Sequence, residues 1–167
     1  TSQDLVDRGG HSVGSAFELL SWSQGEVRHN TWYNGGGTNL ARGDIGRRLL
    51  YLLGTTIENE SVMRAISEIQ GAGRYQDVLA RRLHSAVGQA GALVEACPNL
   101  ELATVLGDLH ELEIGKTSQQ TFTRLADRLR SMGLQLLERY DGSELECMDD
   151  LLPRPDHYRG SPSRPGL

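Results

Sequence analysis

The chain has 167 residues, of which 38% are hydrophobic, 23% charged and 5% aromatic, and its formal net charge is −5. A chain of this length normally folds around one hydrophobic core, which aliphatic side chains must fill here because aromatic residues are scarce. The acidic balance excludes an overall attraction to a phosphate backbone, so nucleic-acid binding is disfavoured.

The predicted fold is all-α, a single-domain helical bundle of about six to seven helices with a Gly-rich loop near residues 30–43 and a Pro-rich C-terminal tail. Residues 1–14 are polar and contain glycines, which predicts a flexible N-terminal segment. Residues 15–152 carry the helical periodicity and form the predicted bundle domain. Residues 153–167 hold four of the five prolines and few aliphatic side chains, which predicts a Pro/Ser/Arg-rich tail.

The first predicted helix begins at Ser12 or Ser15, because serine is a favourable N-cap residue. It is expected to end between Gly25 and Asn30. Three consecutive glycines, Gly35–Gly37, then give the backbone high conformational entropy and permit positive φ angles. This segment is therefore predicted to be a loop.

Two short helices are predicted after the loop. Asp44 is the expected N-cap of the first, and Gly54–Ile57 is expected to end it because glycine and β-branched residues have low helix propensity. The second is expected to begin at Asn59 or Ser61 and to stop at Gly71–Gly73. Helices this short depend on packing for stability.

A long helix is predicted over residues 74–96, because aliphatic residues recur there along one stripe. Gly88 and Gly91 lower its intrinsic stability, so their presence is interpreted as a sign of close helix approach. Pro98 follows the end of this helix, and residues 102–112 form the next one.

Two capping-box patterns predict further helix starts. Thr117 with Gln120 precedes a helix whose apolar residues keep a three-four alternation, and Ser143 with Glu146 precedes a short helix. The alternation is typical of a seam that packs in a bundle or binds a partner helix, and these residues are candidate interaction sites. The seam consists of Phe122, Leu125, Leu129, Met132 and Leu136.

The two cysteines, Cys97 and Cys147, are too few for a disulfide framework and too distant in sequence for a chelating pair. Two free thiols are the preferred prediction. The alternative is a single bridge, which would close a loop of about 50 residues and stabilise the fold by a few kcal/mol.

A short motif in the predicted helix 102–112 adds candidate interaction residues. Leu102, Leu106 and Asp108 stand in a Leu-x-x-x-Leu-Gly-Asp arrangement that resembles the core of a BH3-type helix over seven residues. The resemblance implies that this helix binds a protein groove, whereas an ordinary amphipathic helix explains the same residues.

No residue pattern indicates catalysis or metal binding. The five histidines are scattered, and none has the spacing that zinc hydrolases require, so no metal and no cofactor are expected. The Gly35–Asp44 loop is the candidate ligand site, with Trp32, Tyr33 and Arg42 as its expected lining residues. An enzyme is not the favoured interpretation.

The tail contains two candidate modification sites, Ser161 and Ser163. Arginine four residues before Ser163 and proline two residues after it give a pattern that resembles a phosphoserine-adaptor ligand of the 14-3-3 type. An inert tail is the alternative.

The leading hypothesis is a non-enzymatic protein–protein interaction module of a regulatory, adaptor or viral host-interaction type. It would use apolar helix faces to bind a protein partner or to form a homo-oligomer. The first alternative is a secreted four-helix signalling protein with a Cys97–Cys147 disulfide, and the second is a small enzyme or ligand carrier that uses the Gly35–Asp44 loop. No apolar run is long enough for a membrane span, so a soluble, cytoplasmic protein is expected, with secretion kept open.

Overall fold

The computed structural model describes residues 2–13, 18–25 and 41–160. Within these ranges the chain forms α-helices and short 3₁₀ helices and no β-strand, which confirms the predicted all-α bundle. The α-helices are α1 Ser2–Asp7, α2 Leu19–Gln24, α3 Asp44–Ser67, α4 Arg74–Ala96, α5 Leu102–Gly107 and α6 Gln119–Arg139. The 3₁₀ helices are Asp108–Glu111, Glu146–Leu151 and Pro155–His157.

Helix α3 is the centre of the bundle, and it packs against α2, α4 and α6. Because α3 has neighbours on several sides, it buries polar as well as aliphatic side chains. A surface helix, in contrast, usually buries only one apolar stripe. Its buried residues are Arg48, Tyr51, Leu52, Gly54, Thr55, Thr56, Glu58, Asn59, Val62, Met63 and Ile66.

The predicted break between two short helices is wrong, because α3 runs without interruption from Asp44 to Ser67. Gly54 is buried against α2, where an added Cβ would lie 2.7 Å from the Cβ of Leu19. The hydroxyl of Thr56 donates a hydrogen bond to the carbonyl oxygen of Leu52 at 2.8 Å. Packing on several sides therefore outweighs the low helix propensity of glycine and threonine.

Helix boundaries elsewhere agree with the sequence in part. Helix α4 has the predicted bounds, whereas the helix expected over residues 102–112 divides into α5 and a 3₁₀ turn. The N-cap of α6 is Ser118, whose hydroxyl accepts from the amide of Thr121. Thr117, the predicted cap, instead accepts from the amide of Glu113 at 3.1 Å.

The starts of α2 and α3 also differ from the prediction. Glu18 caps α2, because its carboxylate accepts from the amides of Leu20 and Ser21. Gly43 occupies the N-cap position of α3 and Asp44 is its first residue, placing the carboxylate in the first turn, where it faces the positive end of the helix dipole.

Segments predicted to lie outside the bundle make specific contacts with it. Residues 2–7 form α1, in which Val6 is buried and the Asp7 carboxylate accepts from the amide of Tyr75 at 2.8 Å. At the other end, the amide of Arg159 donates to the carbonyl oxygen of Ser21 at 3.1 Å. The contacts of α1 join residues 2–7 to α4, and the bond from Arg159 joins the described start of the tail to α2.

The two cysteines form a disulfide, so the preferred prediction of free thiols is wrong. The Cα atoms of Cys97 and Cys147 lie 5.4 Å apart, within the normal range for a bridge. Cys97 follows the end of α4 and is buried, whereas Cys147 belongs to the 3₁₀ helix Glu146–Leu151. The bridge therefore attaches the C-terminal part of the chain to α4.

An ion pair holds the same 3₁₀ helix against α3. The guanidinium of Arg48 makes two hydrogen bonds of 2.7 Å to the carboxylate of Asp149 and a third to the carbonyl oxygen of Gly142. Hydrogen bonding to Arg48 lowers the pKa of Asp149 below its ordinary value. Residues Leu145, Met148 and Leu152 are buried beside it.

This lowered pKa predicts an acid-sensitive contribution to stability. A carboxyl group whose pKa is lower in the folded state stabilises the fold above its unfolded pKa, and this contribution disappears as the pH falls through the folded value. Asp149→Asn is therefore expected to be less stable than wild type at neutral pH, and the difference should shrink in acid. Urea unfolding curves from neutral pH into acid measure this stability difference, with the exposed neighbour Asp150→Asn as control. A difference that does not change with pH would contradict the ion pair assigned to Asp149.

The glycines of α4 give a prediction of the opposite sign. Gly88 lies in the helix interior on the exposed side, and an added Cβ would meet no atom within 4 Å, so the close approach expected there is absent. Gly88→Ala should raise the free energy of unfolding by about 0.5–1 kcal/mol through helix propensity alone. Thermal unfolding followed by circular dichroism tests this, and a destabilised variant would show that the position is not open.

Candidate protein-binding groove

The predicted interaction seam on α6 packs inside the bundle. Four of its members are buried and Met132 is partly buried against the same core. These side chains therefore hold α6 against the rest of the molecule and are not available to a partner of the folded chain. The four buried members are Phe122, Leu125, Leu129 and Leu136.

The residues of the BH3-like motif have a similar role. Leu102 and Leu106 are buried in the core, and Asp108 lies 3.4 Å from the guanidinium of Arg128. Helix α5 has only six residues, and its apolar side is occupied by the bundle. The arrangement favours the ordinary amphipathic interpretation of this motif.

The remaining candidate residues belong to the predicted loop and to the tail. Arg42 is exposed, and its amide donates to the side-chain oxygen of Gln24 at 2.7 Å. Trp32 and Tyr33, expected beside it, lie outside the described residues, as do the modification candidates Ser161 and Ser163. The loop and phosphorylation hypotheses therefore remain predictions.

Some charged side chains of the described helices form ion pairs with a neighbouring helix. The buried Glu58 of α3 and the partly buried Arg82 of α4 form an ion pair with contacts of 2.8–3.0 Å. Burial raises the pKa of Glu58, and the hydrogen bonds from Arg82 offset part of that rise. In residues 2–13, 18–25 and 41–160, no three His, Cys, Asp or Glu side chains group as metal ligands.

An apolar groove lies on the surface between α3 and α6. We call it the α3–α6 groove, and define it by Leu53 and Ile57 on α3 and Gly133, Leu134 and Leu137 on α6. Its volume is about 240 Å³. The buried side chains of Thr56 and Leu129 lie beneath these residues.

Exposed aliphatic side chains concentrate at this groove. Among the described residues, five large hydrophobic side chains are exposed, and three of the five line the groove. Ile57 is 53% exposed, Leu134 68% and Leu137 59%. Single exposed aliphatic residues are normal on protein surfaces, whereas a group around one concavity is typical of an interaction site.

Helices α3 and α6 are in contact at a glycine that lines the groove. A Cβ added at Gly133 would lie 3.4 Å from the methyl carbon of Thr56, an ordinary van der Waals distance, so α6 contacts the Thr56 side chain of α3 there. Flanking the contact, Arg64 of α3 bridges Glu60 and Asp127 with distances of 2.6 and 3.0 Å. Gly133 has no side chain to fill the space beside Leu134 and Leu137, and Glu60, the partner of Arg64, lines the same groove.

The larger hollows of the surface are more polar. One of about 540 Å³ lies where α1 meets the turn after α3, and two of its glutamines, Gln3 and Gln119, hydrogen-bond to backbone atoms of that turn. Another, of about 370 Å³, is lined by His84 and Glu113 together with aliphatic residues of α4 and of residues 109–114. Neither brings together a nucleophile and a base with measured hydrogen-bond contact.

The sequence contains a signal for the groove that the prediction did not use. Leu134 lies between two members of the buried seam and Leu137 follows the last of them, so the C-terminal half of α6 is apolar on a wider arc than one core-facing stripe requires. No helix in the described part of the chain is both long and apolar enough to cross a bilayer. The chain matches no protein-family model, no curated protein and no solved structure.

Proposed function

We propose that this chain is a disulfide-stabilised, non-enzymatic interaction module that binds protein through the α3–α6 groove. The observation that carries the proposal is the grouping of Ile57 of α3 with Leu134 and Leu137 of α6, which stay exposed around one concavity while the other large apolar side chains of α6 are buried or partly buried. Desolvating these side chains would favour association by about 25 cal/mol for each Å² buried.

The disulfide supports an oxidising compartment for the same module. A bridge between Cys97 and Cys147 persists outside the reducing cytosol, so the secreted signalling alternative gains weight over the cytoplasmic expectation. Mass measurement of native material after alkylation, with and without reductant, tests this point. Two alkylated thiols without reductant would contradict it.

Site-specific photo-crosslinking tests the groove. A photoreactive amino acid at position 137 should attach the protein to one dominant partner protein, whereas the same group at the exposed position 88 on α4 should not. The adduct should disappear when Leu134→Asp places a charge in the groove, because an uncompensated charge is costly in an apolar interface. Equal adducts at both positions, or none at 137, would refute the proposal.

A further inference from the structure

The charges beside the α3–α6 groove point to a particular occupant. Arg130, Leu134 and Glu138 lie along one exposed face of α6 at intervals of four residues. Each charge is thus about one helical turn from Leu134, in opposite directions. The face therefore has an aliphatic centre, a positive end and a negative end.

Arg130 and Glu138 differ from Asp127, Arg128 and Arg139, the charged residues next to them on α6. Asp127 pairs with Arg64, Arg128 with Asp108 and Arg139 with Glu101.

Across the three described ranges, neither Arg130 nor Glu138 forms a salt bridge or a side-chain hydrogen bond. Eight residues of helix separate them by about 12 Å, so they are too far apart to pair within α6.

We infer that the groove binds a second copy of this chain, with the two α6 helices packed antiparallel about a two-fold axis at Leu134. This inference rests on the proposed function and names its partner. In an antiparallel pair centred on Leu134, a residue four positions before the centre lies beside the residue four positions after it in the other helix. Arg130 of each protomer then lies beside Glu138 of the other. The two-fold axis produces this contact twice, so all four charges have a partner of opposite sign.

The rest of the surface fits this arrangement. The two-fold axis places both α3 helices on the same side of the α6 pair. Ile57 and Leu137 of each protomer, which line its groove, are then covered by the other protomer. An interface of this kind has an apolar centre and a charged rim, as is typical of specific helix pairs. A face with two charges of one sign would not be complementary to itself.

Charge reversal distinguishes a second copy from any other partner. Sedimentation velocity over about 1 µM to 1 mM should show a reversible dimer for the oxidised wild-type protein. Arg130→Glu and Glu138→Arg should each weaken dimerisation by at least about 10-fold, because each places like charges together. The double variant restores opposite charges at both contacts and should return the dissociation constant to within about threefold of wild type.

Controls separate this result from a general effect of charge or misfolding. Arg81→Glu makes the same charge change on the exposed side of α4 and should dimerise like wild type. Leu134→Ser, at the proposed axis, should weaken the dimer without altering the charge. Circular dichroism melts should be similar for all of these surface variants.

The outcomes also separate this inference from the proposed function. A wild-type protein that is monomeric throughout, or a double variant weaker than both single variants, would overturn the second-copy assignment. If position 137 still crosslinks to a different protein in that case, the groove remains a protein-binding site. If neither a dimer nor a crosslink forms, both proposals fail.

Discussion

Replacing Cys97 and Cys147 together with serine is expected to lower the free energy of unfolding by about 4 kcal/mol. The bridge spans a sequence separation of 50 residues, and the loss of a loop constraint of that length from the unfolded chain corresponds to about this energy. Urea unfolding at equilibrium measures it. The melting temperature should fall by roughly 10 °C, given the usual relation for a chain of this size.

A reductant supplies the control for the cysteine substitutions. It should destabilise the wild-type protein and leave the double serine variant unchanged, because only the wild type has a bridge to lose. The 3₁₀ helix Glu146–Leu151 keeps its ion pair from Asp149 to Arg48 and its buried Met148, so the variant should still fold. An unfolding curve of the wild-type protein that does not respond to reductant would contradict the assigned bridge.

Asn59→Asp is expected to destabilise the protein by about 4 kcal/mol at neutral pH. Asn59 is fully buried in α3, and its amide nitrogen donates to the carbonyl oxygens of Thr55 at 2.9 Å and Ala86 at 3.2 Å. A carboxylate there would have no hydrogen to donate and would face two acceptors in a medium of low polarity. Burial would raise the pKa of the introduced carboxyl group by about three units, which corresponds to this energy.

The pH dependence of stability identifies the introduced carboxyl group as the cause of this destabilisation. A carboxyl group with a raised folded pKa destabilises the fold at neutral pH, and stability returns as the pH falls through that value. The matched control is Ser61→Asp, which adds the same group to an exposed position two residues later in α3 and should change stability by no more than about 0.5 kcal/mol. Equal effects at the two positions would show that Asn59 is not sealed from water.

Local patterns predicted the elements that depend on local periodicity. Helix α4 has the predicted bounds because its stripe of aliphatic residues recurs along its length, and the stop at Pro98 follows from the missing amide hydrogen of proline. The seam of α6 is helical for the same reason. The burial of the seam depends in addition on the packing of α3 against α6.

Predictions failed where a distant residue changes the local preference. Gly54 reads as a helix terminator in the sequence, yet in the structure it is the point where α2 approaches α3. The capping prediction at Thr117 was displaced by one residue, because the preceding turn uses the Thr117 hydroxyl for the amide of Glu113. Local propensities of about 1 kcal/mol are smaller than the packing free energy that such contacts contribute.

The candidate site likewise depends partly on local sequence pattern and partly on tertiary packing. Leu134 and Leu137 lie outside the three-four alternation that contains Leu129 and Leu136, so the sequence indicates that α6 is apolar on more than one side. Which side of α6 is buried depends on where α3 packs against it. The contacts between the two helices include Gly133 against the methyl group of Thr56 and the ion pair of Arg64 with Asp127.

By itself, the sequence determined the helical class, the long helices and the aliphatic nature of the core, because these follow from composition and from periodicity within one segment. Only the tertiary structure decided that α3 is continuous, that Cys97 reaches Cys147, and which side of α6 stays uncovered. Each of these depends on atoms that are distant in the chain and close in space, and such distances are determined by packing of the whole molecule.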